Sequence, residues 1–187
     1  MKKLFALVSI LIIVSASCRP EGGMNADAGY FSITALRDSL IKGKPVYNFQ
    51  KTLVVDGKSE TQLINDSLHL QIHFFEDFEI NKPSYKGAYI VDTLNSTPDS
   101  AGALVHRIEY KRKPEFKYPV TFSSYTDKSN GTKIISITSE VVNLLTVIRK
   151  ELTIEINNTG FVKYSYSITQ EFAGKINRIG ITLERVY

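Results

Sequence analysis

The amino-acid pattern predicts an α+β protein: a mostly antiparallel, curved β-sheet meander of about seven to nine strands with one or two N-terminal helices packed on it. Three observations carry that expectation. Beyond Gly87, apolar residues recur at every second position in run after run, the period of a half-buried strand. The runs are separated by short Asn- and Gly-rich segments such as Asn130-Gly131 and Asn157 to Gly160, too short for the dozen or so residues of a parallel crossover. Ahead of them, Ile33, Leu36 and Leu40 recur at helical spacing.

Taken in order, the chain opens with Lys2 and Lys3, an apolar run from Leu4 to Val14, and Ser15-Ala16-Ser17 before the only cysteine, Cys18. The run falls short of the roughly 20 residues a spanning helix needs, so residues 1–17 read as an export signal. Small residues abutting a lone cysteine resemble the lipobox of bacterial lipoproteins. Ser15 stands where an aliphatic residue is usual, which resembles the relaxed Bacteroidetes form. The resemblance implies cleavage before Cys18 and acylation of its sulfur and new amino terminus, since two or more acyl chains anchor stably where one does not. It places the protein in the cell envelope, at the outer membrane, with the bilayer as its first partner.

Residues 18–28, rich in Pro, Gly and small polar side chains, are expected to form a lipidated flexible tether, and 29–187 one α+β domain. Losing Lys2 and Lys3 lowers Lys+Arg from 23 to 21 against 19 Asp+Glu, a net charge near +2. Such a balance lacks the concentrated basic footprint of a nucleic-acid partner. With Cys18 given to lipid, apolar packing alone must hold the fold.

Within the domain, "AGYFSITALRDSLIKG" predicts the amphipathic helix, with Asp27 as a candidate cap and Gly43 as its stop before Pro45. "VYNFQKTLVV" puts Tyr47, Phe49, Leu53 and Val55 on one face, interrupted by Lys51, and Asp56-Gly57 signals a hairpin into "SETQLI". Later strands are expected at 87–94, 103–112, 118–125, 132–141, 144–156, 161–172 and 177–187. In the sixth of these, Val162, Tyr164, Tyr166, Ile168 and Phe172 should face inward; in the last, Ile179, Ile181, Leu183 and Tyr187.

"SLHLQIHFFEDFEINKP", residues 67–83, is the ambiguous stretch. As a strand it would set His69 and His73 about 13 Å apart at 3.3 Å per residue; as a helix it sets them one turn apart with Glu76 or Asp77 nearby, the spacing a metal site uses. The unbroken length and the Phe74-Phe75 pair favour a helix, with Leu68, Ile72 and Phe75 as its apolar row, Phe74 and Phe78 extending it, and Asp66 or Ser67 at its start. Leu70 follows His69 where the His-Glu-x-x-His motif needs glutamate, so the segment reads as a solvated helix face rather than a metal site, with His69, His73 and Glu76 as the residues a metal would use. Through Phe75, Phe78, Glu79, Ile80, Asn81, Lys82 and Pro83 the segment resembles a phenylalanine-x-x-aspartate-isoleucine-asparagine-lysine-proline pattern of a Bacteroidetes lipoprotein family with no assigned activity; Glu79 replaces its aspartate. That resemblance implies shared architecture only.

The densest basic stretch, 106–118, would present Arg107, Glu109, Lys111, Lys113, Glu115 and Lys117 on one strand face: a solvated, charge-interleaved face, or a contact for lipid phosphates. No nucleophile elbow, phosphate loop, dinucleotide fingerprint or cofactor motif is present. The expected function is a non-enzymatic, lipid-anchored envelope module for a partner protein or an apolar ligand, and the overall plan resembles the lipoprotein-handling factors of the envelope. The alternative is a periplasmic hydrolase or metal-dependent enzyme using His69 and His73.

Overall fold

Asp56 and Gly57, φ 48° and 85°, close the first hairpin, and Ala173 and Gly174, φ 48° and 78°, the last. Two successive positive φ angles match the twist of the strands they join. The structure, a computed structural model, describes residues 28–42, 45–98 and 104–187. Helix α1 spans Ile33–Ile41, strands β1 Val46–Val55 and β2 Lys58–Ser67. A one-turn helix α2, Leu68–Ile72, runs directly into a 3-10 turn, His73–Phe78, and a second 3-10 turn covers Pro83–Tyr85. Strands β3 Tyr89–Pro98, β4 Leu104–Arg112, β5 Val120–Lys128, β6 Lys133–Val142, β7 Thr146–Asn157, β8 Gly160–Phe172 and β9 Lys175–Val186 follow.

All nine strands form one antiparallel sheet in the order β2-β1-β9-β8-β7-β6-β5-β4-β3. Strands β3 to β9 are a plain meander. The N-terminal hairpin joins it out of sequence, Leu53 lying opposite Ile181 and Val55 opposite Ile179. Strands β2 and β3 are therefore the two edges, and residues 68–88 carry the chain from one edge to the other across the inner face. That crossing is why the helices cover a face at all.

The predicted helix over 67–83 is present in a broken form. Strand β2 keeps the chain to Ser67, one α turn follows, and the ladder tightens at His73. Leu68, Ile72, Phe75 and Phe78 are buried, as the apolar row required, and Phe74 packs at their border. Ser67 occupies the cap position without a side-chain bond; Asp66 instead accepts from the Ser67 amide at 2.7 Å and from Gln71 Nε2 at 2.7 Å.

Helix α1 starts later than expected. Its cap is Ser32, whose Oγ accepts from the Ala35 amide at 3.0 Å; Asp27 and Gly43 lie outside the described residues. The capping position moves because Tyr30 and Phe31 precede the helix as packing residues, their rings 5.3 Å from those of Tyr89 and Tyr125 respectively.

A bulge corrects the facing of β8. Glu155 pairs with Lys163 but Ile156 with Phe161, so the extra residue puts Phe161 in the core and turns Val162 partly out; a one-residue insertion does this because side chains alternate. Phe172 and Tyr187, expected inside, are exposed, Phe172 at the end of β8 and Tyr187 just past the end of β9 with the Arg185 guanidinium 4.6 Å from its ring centre. Among the described residues, the packed core and the side chains bordering it lie at or after Tyr30.

Candidate functional site

The segment that raised the metal question supplies structure first. Among the described residues no set of three His, Asp or Glu side chains converges to hold a metal ion. His69 and His73 are both exposed on the helical turn. His73 Nδ1 lies 3.0 Å from the Leu70 carbonyl, which can only accept. Glu76, one 3-10 turn further on, pairs with Arg37 of α1, and Asp77 faces Lys150 of β7 at 3.5 Å. The carboxylates nearest the histidines are thus directed at cations of other elements. His106, exposed on β4, sits opposite Asp127 of β5, on a different part of the sheet.

Residues 75–83 form a clamp. Phe75, Phe78 and Ile80 are buried. Glu79, itself buried, accepts at Oε2 from Ser32 Oγ (2.7 Å) and the Thr34 amide (2.9 Å), and at Oε1 from the Asn81 amide (2.6 Å). Asn81 Oδ1 accepts from the Tyr30 amide at 2.9 Å. A carboxylate and an amide thereby satisfy N–H groups that a helix start leaves without partners. These bonds dock α1 onto the crossing segment.

The helices reach only part of the inner face. Phe74 packs on Tyr166 at 4.8 Å and Phe78 on the same ring at 6.0 Å, and beyond that row the sheet is bare. Leu53, Val55 and Ile179, 39, 42 and 40% exposed, continue the apolar pattern of the core there. The register sets Val55, Ile179, Ile168 and Lys150 in one cross-strand row. Two grooves flank this strip. One, about 490 Å³, runs between the 3-10 turn and the sheet past Asp77, Lys82, Val141, Ile148 and Lys150; the other, about 310 Å³, is lined by Lys51, Leu53, Gln62 and Ile181. Lys51, the interruption in the apolar face of β1, reaches Gln71 Oε1 at 3.2 Å.

Among the described residues, the groups with displaced equilibria are phenols in or bordering the core, together with the Arg149 guanidinium, raised by its hydrogen bond to Glu140. Burial pushes the Tyr164 hydroxyl up to about 12, and burial likewise raises Tyr89, with the neighbouring Tyr85 adding to it, and Tyr110, Tyr125 and Tyr166. Tyr89 Oη donates to the Val120 carbonyl at 3.0 Å. The folded state thus prefers the neutral phenol. The stability this carries is intact below about pH 10, where tyrosines of the unfolded chain ionise, and is lost as pH rises through 10 to 12. Urea midpoints measured against pH, with phenolate absorbance followed in parallel, should hold level to about pH 9.5 and then fall; a decline already complete by pH 9 would contradict the burial of these phenols.

The basic stretch divides in two. On β4, Glu109 is gripped by Arg107 at 3.0 Å and Lys111 at 2.9 Å. The strand ends at Arg112, so Lys113, Glu115 and Lys117 leave the common face expected of them and join a loop. That loop is bound to residues 82–88: the Lys113 amide donates to the Ala88 carbonyl (2.9 Å), Tyr118 Oη to the Ser84 carbonyl (2.7 Å), and the Tyr85 and Tyr118 rings stack at 3.8 Å. Lys82, Lys86 and Tyr85 become part of the same surface, a grouping no local sequence pattern announces.

Cys18, the expected lipidation site, lies outside the described residues, as do residues 1–17 and the tether up to Asp27. No described helix is long and apolar enough to cross a membrane. No protein-family model, curated protein or solved structure matches this chain.

Proposed function

We propose that the protein is an envelope lipoprotein, anchored through Cys18, that holds an elongated apolar ligand of the acyl-chain class against the uncovered strip of its sheet. One observation carries the reading: the apolar rows of the inner face, interrupted at Lys51 and Lys150, continue beyond the helices, which shelter only part of them. Leu53, Val55 and Ile179 lie open on an otherwise alternating sheet, and contiguous exposed apolar surface of this kind marks binding sites more often than scattered residues do. Grooves at either side lengthen the strip; Glu76 and Asp77 line one and Glu60 the other, Asp77 is matched by Lys150, and Lys82 and Lys51 are the cations at their margins suited to a carboxylate or phosphate head. Apolar lining with few polar groups is the composition of a ligand site. The lipobox-like sequence at Ser15 to Cys18 supports the location.

The test is a displacement assay with a fluorescent fatty acid, together with mass spectrometry of lipid extracted from the purified protein. The wild type is expected to carry acyl lipid and to bind the probe; Ile179→Asp, at a position already exposed, is expected to weaken binding at least tenfold without unfolding the chain. Burying a carboxylate against an apolar ligand costs several kcal/mol, well above the 1.4 kcal/mol of a tenfold change. An empty extract with probe binding indifferent to Ile179→Asp would reject the acyl ligand. A second reading, docking of a partner protein, is favoured by the β3 edge, where Ile90, Val91 and Leu94 are exposed and unpaired backbone groups can accept another strand.

A further inference from the structure

We propose that the end of the molecule built from residues 82–88 and 112–118 rests on an anionic phospholipid surface. These two segments, Lys-Pro-Ser-Tyr-Lys-Gly-Ala and Arg-Lys-Pro-Glu-Phe-Lys-Tyr, contain Lys82, Lys86, Arg112, Lys113 and Lys117 against the one carboxylate of Glu115. Among the described residues no ion pair engages Lys82, Lys86, Lys113 or Lys117. The acids that border the patch are already matched, Glu76 with Arg37, Asp77 with Lys150, and Glu140, which shares a groove with Arg112 and Lys117, with Arg149 at 2.7 Å. Elsewhere on the sheet cations meet carboxylates, as Lys163 does Glu155 at 3.3 Å. Positive charge is left over at this end.

Aromatic rings lie among the cations. Tyr85, Tyr118 and Phe116 form a stacked series, Tyr85 to Tyr118 at 3.8 Å and Phe116 to Tyr118 at 5.8 Å, all half-buried, with Lys82 Nζ 5.6 Å from the Tyr85 ring centre. The hydrogen bonds between the segments, and Arg112 donating to the Tyr118 carbonyl, hold this surface in one shape. Lysines project their heads to phosphate depth while tyrosine and phenylalanine sit at the headgroup boundary, each side chain having an apolar body beside a polar or charged neighbour.

The position of the tether identifies the occupant as a bilayer. The described chain begins at Ala28, and Tyr30 is bound to Asn81, the residue before Lys82, and packs on Tyr89. The tether therefore enters the domain at the base of this surface. Nine residues lie between Cys18 and Ala28, ten steps along the backbone and a reach of at most about 35 Å when fully extended, so an anchored Cys18 keeps this end close to the headgroups. The larger groove shares Lys82 with the surface and borders it at Pro119, and so opens beside the membrane. This orientation rests on the reading of Cys18 as the anchor; the charge contact does not.

The test uses the chain from residue 18 with Cys18→Ser, which keeps every described core residue and carries no acyl group, sedimented with phosphatidylcholine vesicles or vesicles containing about one third phosphatidylglycerol. Binding is expected to the anionic vesicles alone, weakened at least tenfold between about 20 mM and 300 mM salt, over which the screening length falls several-fold. The combined variant Lys82→Gln, Lys86→Gln, Lys113→Gln, Lys117→Gln is expected to lose at least tenfold in affinity, and Lys58→Gln with Lys175→Gln, on the far hairpins, to lose none. Absence of binding at low salt, equal binding to neutral vesicles, or equal loss in the two variants would overturn the proposal. The acylation of Cys18 is read separately, from the mass of the N-terminal peptide of protein extracted from membranes.

Discussion

Phe75→Ala is expected to remove about 3–5 kcal/mol of folding stability, a large share of the 5–15 kcal/mol that holds an ordinary domain together. Phe75 is fully buried and, with Phe74 and Phe78, is one of the rings through which the crossing segment meets the sheet, 5.1 Å from Phe74 and 5.9 Å from Tyr164 between ring centres. Tyr164 belongs to β8, which is hydrogen-bonded to a neighbour on either side, so the floor of the cavity cannot move up to fill it. Cavities that cannot collapse are the expensive ones. Urea denaturation should show a lowered midpoint with little change in slope. Should the alanine variant fail to fold, Phe75→Leu, which keeps most of the volume, is expected to lose about 1–2 kcal/mol. A loss under about 1 kcal/mol for the alanine variant would show that this segment does not pack as described.

Glu79→Ala is expected to cost about 3 kcal/mol and to loosen α1 selectively. Its carboxylate receives two bonds from the start of α1 and one from Asn81, at 2.7, 2.9 and 2.6 Å. Hydrogen bonds to a charged group contribute roughly 1.5–3 kcal/mol each, but these share one carboxylate and are not additive. The variant leaves the Thr34 and Asn81 amides without their acceptor. Their hydrogen exchange should therefore quicken by more than that of amides in β7 and β8, which the substitution does not touch. Glu79→Gln, with one acceptor oxygen in place of two, is expected to fall between. Uniform quickening across the whole chain would instead mean that α1 and the sheet open together.

The strands were legible because their environment is simple. Along β9, Ile181 and Leu183 face the core while Thr182 and Glu184 face solvent, and a two-residue period has no other explanation. Bulges were not legible: nothing in Gly160-Phe161-Val162 distinguishes the residue that enters the core from the one that turns out, and only pairing with Ile156 decides it. The break at Ser67 was hidden for a similar reason. Strand β2 continues that far because Val46 of β1 is there to pair with Ser67, and helical propensity governs only once that partner ends.

The candidate surfaces were harder to foresee than the fold. Lys113 and Lys117 were visible as charge, yet their companions Lys82 and Lys86 come from a segment some thirty positions earlier, joined to them by a ring stack and a backbone bond. The bare strip was invisible altogether. Leu53 and Val55 read as core, and become exposed only because the helices on that face are short.

By itself the sequence determined the class: alternating strands, close antiparallel turns and an amphipathic N-terminal helix, all of them encoded in residues near one another. Tertiary structure alone decided that β1 joins β9, that residues 68–88 cross the inner face, and therefore which apolar side chains are covered and which cations gather. Local periodicity specifies which face of an element seeks burial. What arrives to bury it depends on contacts between residues far apart in the chain, and these take shape only when the sheet has assembled.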